Sequence, residues 1–525
     1  MRNGPGGPIA DAVVAEDQTA VIQFLSRPET YGADIDAVER IETHASIVFL
    51  AGPRAYKLKR AVVFPYLDYS TAERRRFFCE REVEINCRTA PALYLGVIAV
   101  TRTATGGLSL GGDGAALDWL VVMQRFDGEA LFDRMATRGA LTRPVIDDLA
   151  EAIARFHREA EVRPNAGGSA AVAACIASNE RAFALVTPAL LDPERVSTLL
   201  AAQRSAVAAV ARSLDDRQAG GFVRHCHGDL HLRNVVLWEG RPTLFDAIEF
   251  NDSFADIDVL YDVAFLIMDL AFRDLPFFAS VAMNRYLDAT GDTATLQVLP
   301  LFLSMRASIR SHVDAMAALR HSEPAAATPL REKAIRYLEL AQAYLVPPTP
   351  RLVAIGGLSG SGKSRLARSL APEMGGVPGA RVVRTDTTRK RLARVGFQDR
   401  LPALAYTEEA NRRTYAAVFA EAEGCLAAGW PVIVDGVFAR PEEREAAEAL
   451  AARAKVPFVG LWLEAAVDQL EARIANRQDR VSDATADVLH RQLTYDIGAV
   501  TWHRLSSSGA PEATLAAARA IVGKI

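Results

Sequence analysis

The pattern of apolar and polar positions changes character along this chain. A Gly-rich polar stretch to about Asp17 reads as a loose tail, and a short helix is expected around Thr19 to Ser26. Alternating runs at Val38 to Glu42 and Ser46 to Leu50 predict strands, and a third, Arg54 to Val62, follows the turn at Gly52-Pro53. The period of two puts Ala55, Lys57 and Lys59 on one face of that strand. Ser70 to Thr89 reads as a charged helix, and Trp119 to Phe126 as a buried strand that turns polar at Asp127-Gly128, where a hinge would fall. From Leu141 to about Met316 the spacing is mainly helical, broken by a loop at Asn165 to Gly168 and by a segment beginning at His227.

Helices continue to about Leu345, where VPPTP, Val346 to Pro350, breaks the pattern. This places one domain at residues 1–345, a linker at 346–350 and a second domain at 351–525. Beyond the linker, strands and helices alternate. Strands are expected at Val353 to Gly356, Arg381 to Arg384, Pro431 to Gly436 and Pro457 to Leu463, with helices at Ser364 to Ala371, Glu408 to Ala428 and Pro441 to Lys455. Continuous apolar strands separated by helices imply a parallel sheet covered on both faces. The expected fold class is therefore an α+β half, with a small sheet-rich lobe before a large helical one, followed by an α/β half. No internal repeat relates them.

Composition narrows the picture a little. Half of the 525 residues are apolar, enough for sizeable cores, and a net charge of -4 gives no general attraction to nucleic acid or anionic membrane. No basic stripe with interleaved aromatics supports a DNA-dependent motor. Five cysteines without paired ligand spacing suggest reduced thiols. With no export signal and no run of about eighteen apolar residues, a cytoplasmic location is expected. Lysine is scarce: only Lys57, Lys59, Lys333, Lys363, Lys390, Lys455 and Lys524 occur, so a lysine here marks a place where a compact ammonium is wanted.

Two segments carry chemistry. In GLSGSGKS, Gly357, Gly360 and Gly362 let the backbone curl so that N–H groups, including those around Ser359 and Ser361, point inward at the start of a helix. Such a nest holds nucleotide phosphates, with Lys363 reaching the β- and γ-phosphates and the Ser364 hydroxyl on Mg²⁺. In HGDLHLRN, Asp229 precedes Asn234 by five residues. That spacing puts a carboxylate on a substrate hydroxyl and an amide oxygen on a metal, as in a kinase catalytic loop. Asp246, ending the apolar run TLFDAIEF, stands where a second metal carboxylate is needed. Glu82 is the candidate partner of the strand lysine, and Glu80 its rival.

The first 345 residues resemble the aminoglycoside phosphotransferase and choline kinase group, of protein-kinase-like fold, through AYKLKR, FFCEREVEINCRTAP, ARFHREA, HGDLHLRN and LFDAIEF in order. The resemblance implies that Lys57 contacts the α/β-phosphates, Glu82 holds it, Asp229 serves the attacking hydroxyl, and Asn234 and Asp246 hold Mg²⁺. Lys59 shares the face of Lys57 and remains an alternative. THAS, Thr43 to Ser46, stands where protein kinases carry GxGxxG. Glu249, Asp252, Asp256 and Asp258 either receive a cationic substrate or solvate and cap local structure, and Asp262 tethers the catalytic loop.

From Arg351 onward the chain resembles small P-loop kinases of the gluconate kinase and zeta-toxin type. That resemblance implies that Asp386 orients or deprotonates the substrate hydroxyl and that Asp435 supports Mg²⁺ through water. Arg389 and Arg391 grip an anionic substrate or line a solvated face. Arg473, Arg477 and Arg480 suit a lid over the transferring phosphoryl group.

The expected function is a bifunctional ATP- and Mg²⁺-dependent phosphotransferase, each half acting on a small-molecule hydroxyl. A ligand-regulated ATPase or nucleotide sensor is one alternative, and an antibiotic-modifying or toxin-like kinase another. Small-molecule acceptors are the expected partners, with neither nucleic acid nor membrane.

Overall fold

The lysine-bearing run forms the strand Arg54–Lys59 in a computed structural model that describes residues 13–64, 66–321, 323–476 and 485–523. It lies within a six-stranded antiparallel sheet. In spatial order the strands are Val38–Glu42, Ser46–Ala51, Arg54–Lys59, Ala116–Gln124, Tyr94–Arg102 and Leu108–Leu110. Alternation sorts the two faces. Tyr56 and Leu58 join Ile47, Phe49, Leu120 and Val122 in one core, while Ala55 packs with Val121, Met123 and Cys79 in another.

Cys79 belongs to the helix Ala72–Asn86, which starts where the Thr71 hydroxyl accepts a bond from the Arg74 N–H at 3.3 Å. Its buried positions, Arg75, Cys79, Glu82, Ile85 and Asn86, recur at helical spacing. Four of the five are polar or hold sulfur, so this helix docks through specific partners as well as apolar area.

The third strand stops at Lys59 rather than at Val62. Val62–Phe64 is a separate strand, paired with Val13–Val14 on one side and Leu67–Asp68 on the other. Gln18 sets the break: its amide donates to the Lys59 carbonyl at 3.0 Å and accepts from the Ala61 N–H at 2.8 Å. The stretch expected to be a tail thus contributes backbone pairing. The segment carrying HGDLHLRN begins at the strand Val223–His225, antiparallel to Asp256–Asp258, and continues into a hairpin of Val235–Trp238 with Arg241–Leu244.

The second sheet is parallel throughout, in the order Arg381–Arg384, Val432–Asp435, Leu352–Gly356, Phe458–Glu464, His503–Ser506. Its central strand is buried along its whole length. That accounts for its unbroken apolar sequence. The fifth strand, polar and mostly exposed, has no apolar run to announce it.

The chain gathers into two compact units, Met1–Ala171 with Asp215–Leu266, and Val172–Leu214 with Ile267–Ile525. The segment 346–350 therefore lies inside the second unit, because the helix Pro276–Thr290 packs against the edge strand Arg381–Arg384. The Asn284 side chain accepts from the Val382 N–H at 2.7 Å and donates to the Ala380 carbonyl at 3.1 Å, pairing an otherwise open edge. Beside it the buried Arg381 meets Asp288 at 2.6 Å and Glu421 at 2.7 Å. No helix among the described residues is long and apolar enough to cross a membrane.

Candidate active sites

In the first unit both strand lysines converge on one carboxylate. Lys57 Nζ lies 2.8 Å from Glu82 Oε1, and Lys59 Nζ lies 2.6 Å from Glu82 Oε2. Glu82 is fully buried, whereas Glu80 is exposed and pairs with Arg76 at 2.9 Å. Lys57 also reaches Asp246 Oδ1 at 2.6 Å. Lys59 instead turns to Glu249, which accepts from the Tyr69 hydroxyl at 2.6 Å as well. The two lysines are thus distinguished by depth: Lys57 faces the loop bearing Asp246, and Lys59 lies behind it. Burial opposes both ammonium charges, but Asp246 and Glu82 hold Lys57, and Glu249 and Glu82 hold Lys59, well above the ordinary lysine range. Burial likewise raises the Glu82 carboxyl, and the two ammoniums outweigh it, so Glu82 stays ionised below the ordinary range.

Asp246 has a left-handed backbone, φ 61°, which a short polar residue tolerates. Tyr94 and Asn86 secure the turn, since the Tyr94 hydroxyl accepts from the Asp246 N–H at 3.1 Å and Asn86 Oδ1 from the Ala247 N–H at 2.8 Å. In the catalytic-loop segment, Asn234 Nδ2 donates to the Asp229 carboxylate at 2.9 Å and to its carbonyl at 3.0 Å. With Nδ2 so engaged, the amide oxygen of Asn234 is the side-chain atom not committed to Asp229. Asp229 keeps 38% of its side chain exposed, accessible to an acceptor.

Asp262 is buried and accepts from the backbone N–H groups of His227 and Gly228, both at 3.0 Å, matching the tether expected of it. His227 Nε2 meets the Phe245 carbonyl at 3.0 Å, tying the loop to the residue before Asp246. Burial lowers the His227 pKa, so the ring stays neutral and structural.

The acid run after Asp246 does not gather into a cation site. Glu249 pairs with Lys59, Asp252 with Arg81 at 2.7 Å, Asp256 with His225 at 2.6 Å, and Asp258 with Arg217 through two bonds of 2.7 and 2.8 Å. The reading that these acids solvate or cap local structure fits Asp258, which also accepts from the Leu260 N–H at 2.8 Å, and the exposed Asp252, while the ion pairs within the unit were not anticipated. Sequence reasoning missed Tyr69 and Glu249 as members of the lysine cluster; the second lysine on the same strand face was the available signal.

In the second unit the phosphate loop follows the strand Leu352–Gly356 and leads into the helix Lys363–Leu370. A Cβ at Gly357 would lie 2.6 Å from the Leu463 carbonyl, and one at Gly360 2.6 Å from the Leu470 carbonyl, with both residues at positive φ. Only glycine fits there. The Ser361 hydroxyl is buried without a hydrogen-bond partner among the described residues, and Lys363 Nζ donates to the Leu358 carbonyl at 2.9 Å. The Ser359 N–H is taken by Gln492 Oε1 at 2.8 Å.

Asp386 sits in the first turn of the helix Thr385–Ala393, and Asp435 ends the neighbouring strand, buried. Between Asp435 and Ser364 lies a residue not singled out in the sequence, Arg384, 3.3 Å from each. An arginine at each end of a short, fully buried strand, RVVR, was the signal.

Three other arginines point elsewhere. Arg389 donates to the Ala405 carbonyl at 2.7 Å and to Asn411 at 2.9 Å, and Arg391 pairs with Glu421. Arg389 is buried by these contacts, whereas Arg391 stays partly exposed. Arg473, expected on a lid, donates to the Ser507 carbonyl at 2.6 Å. Arg477 and Arg480 lie outside the described residues.

Both sites offer donors suited to a hard cation: carboxylate and amide oxygens in the first, a hydroxyl and a carboxylate in the second. The unpartnered Ser361 hydroxyl and the glycine-only loop likewise fit a phosphate.

Residues 94–299 match the family model described as phosphotransferase enzyme family, and residues 352–495 the model described as AAA domain. Among solved structures, the chain resembles an aminoglycoside phosphotransferase, APH(4)-Ia, at 16% identity over 62% of this chain and 99% of that one, with a TM-score of 0.37. It also resembles a choline/ethanolamine kinase family protein from Mesorhizobium loti at 15% identity over 59% and 94%, TM-score 0.36. A gluconokinase from Sinorhizobium meliloti 1021 matches at 17% identity over 34% and 94%, TM-score 0.26. Likenesses this distant leave activity to be argued from the chain's own residues. The Mycobacterium tuberculosis protein Rv2004c, described as uncharacterized, is 31% identical over 482 residues, 90% of this chain and 92% of its own length. The Mycobacterium bovis protein Mb2027c matches to the same extent. The chain thus belongs to the Rv2004c family, and it joins a phosphotransferase-type, protein-kinase-like domain to a P-loop kinase-type domain with a parallel sheet.

Proposed function

We propose that the chain is a cytoplasmic bifunctional kinase in which each half transfers the γ-phosphoryl of ATP, with Mg²⁺, to the hydroxyl of a small molecule. The observation that carries the reading is the convergence of Lys57, Glu82 and Asp246, which are far apart in sequence, at 2.8 and 2.6 Å, with Asp229 and Asn234 joined on the same unit's catalytic loop. Mg²⁺·ATP supplies an activated phosphoryl group and charge neutralisation for the leaving ADP.

The chain does the positioning. Lys57, held ionised, presents its ammonium to phosphate oxygens, and Glu82 fixes its place. The exposed Asp229 carboxylate accepts the proton of the acceptor hydroxyl, or orients it, while Asn234 and Asp246 would hold the metal through oxygen. In the second half the loop from Gly357 to Ser364 would cradle phosphate with Lys363 beside the transferring group, the Ser364 hydroxyl would be a metal ligand, Asp435 would support the metal through water, and Asp386 would face the acceptor.

Two variants of the full chain test the reading in a metabolite extract supplied with labelled ATP. Asp229→Asn and Lys363→Ala are each expected to remove a different phosphorylated product, with losses of roughly 10²–10⁴-fold for the base variant. A product set unchanged by either variant would mean that half is not a kinase.

A second reading is favoured by one observation: the P-loop is engaged by Gln492 at Ser359 and by Arg384 at Ser364 and Asp435. A half so self-occupied suits a regulated nucleotide switch. ADP release independent of any added hydroxyl compound would support it over the bifunctional kinase.

A further inference from the structure

The guanidinium that reaches the phosphate loop is that of Arg384. It ends the strand Arg381–Arg384, lies in register with Asp435 on the adjacent parallel strand, and is only 7% exposed. Its Nε is 3.3 Å from Asp435 Oδ2, and an Nη is 3.3 Å from the Ser364 hydroxyl oxygen. One cation therefore spans the two oxygens assigned above to Mg²⁺.

We propose that Arg384 and Mg²⁺ compete for the Ser364–Asp435 oxygen pair, making the guanidinium a built-in gate on metal loading of the second site. The inference rests on the reading of that site as a nucleotide–metal site. Two cations in contact with one buried carboxylate and one hydroxyl repel each other, and burial reduces the screening that water would give. Arginine does not deprotonate in proteins, so the gate opens by movement of the side chain and not by loss of charge. The contact is suited to exchange, because both distances are long for charge-assisted bonds.

Gln492 is the anionic counterpart. Its Oε1 accepts from the Ser359 N–H at 2.8 Å, a donor of the kind that a phosphate oxygen takes in such loops. An acceptor thus stands at a phosphate position and a cation at the metal position, both supplied by the chain.

The test is a titration of the full-length protein with a fluorescent ATP analogue at increasing Mg²⁺, the second-site signal being the part lost in Lys363→Ala. Arg384→Met is expected to lower the half-saturating Mg²⁺ concentration by about tenfold or more, the effect of removing one contact to a charged group. Arg384→Lys, which keeps the charge, is expected to remain closer to the unaltered protein. A half-saturating concentration that is unchanged in Arg384→Met, or that rises as it would if Arg384 merely neutralised Asp435, overturns the gate while leaving the nucleotide site standing. If Lys363→Ala removes no signal, the nucleotide reading fails and the gate with it. Should Arg384→Met lose its helical circular dichroism, Arg384→Gln replaces it with the same expected direction.

Discussion

Glu82 is the residue on which the first site depends most, since it separates and neutralises two buried ammoniums. Removing its charge leaves Lys57 and Lys59 facing each other across a neutral amide. Glu82→Gln is expected to destabilise the first unit by about 3–5 kcal/mol, the cost of breaking a buried ion pair, as read from urea melts. Its carboxyl is held below the ordinary range by Lys57 and Lys59, against burial, so its contribution is present above the unfolded carboxyl pKa of about 4.3 and is lost as pH falls through the lower folded value. Between pH 5 and pH 3 the melting temperature of the unaltered protein should therefore fall more steeply than that of Glu82→Gln. Most residue types at the sites were legible because phosphate chemistry constrains their spacing. The choice between Lys57 and Lys59 was not, because both share a strand face and only the depth of Asp246 and Glu249 separates them. Arg384 was hidden for a related reason: its partners, Ser364 and Asp435, lie on other elements.

Periodicity located most of the elements that bear these side chains. The lysine strand, the glutamate helix and four strands of the parallel sheet stand within a few residues of their expected bounds. Breaks set by distant side chains were not visible, as where Gln18 ends the third strand at Lys59. Nor was the polar fifth strand of the parallel sheet, which is recognised by pairing with Phe458–Glu464 and not by its own composition. Two outcomes belong at this scale. Gly360→Ala places a methyl against the Leu470 carbonyl in a left-handed turn, and is expected to abolish the nucleotide signal that Lys363→Ala removes while leaving the first-site product intact. Arg381→Ala leaves Asp288 and Glu421 facing each other without their buried cation, and should destabilise the second unit by about 3–5 kcal/mol in urea melts.

Across the whole molecule, packing and sequence divide the chain differently. The sequence breaks at 346–350, but Asn284 and Asp288 bind the helix Pro276–Thr290 to the edge strand of the parallel sheet within one unit. Proteolytic cleavage inside 346–350 should accordingly yield two fragments that elute together in size exclusion. Arg381→Ala should weaken that association, and fragments of the unaltered protein that separate at once would contradict it. The sequence by itself determined the two short motifs on which the proposed phosphate chemistry rests, because glycine conformations and the order of hydroxyl, amide, carboxylate and ammonium groups are local requirements written at short spacing. Only the tertiary structure decided which lysine faces Asp246, where Arg384 points and which helices pack on the parallel sheet. Those are long-range pairings of buried charges, and a buried charge is satisfied by whatever group the fold brings to it, regardless of its distance along the chain.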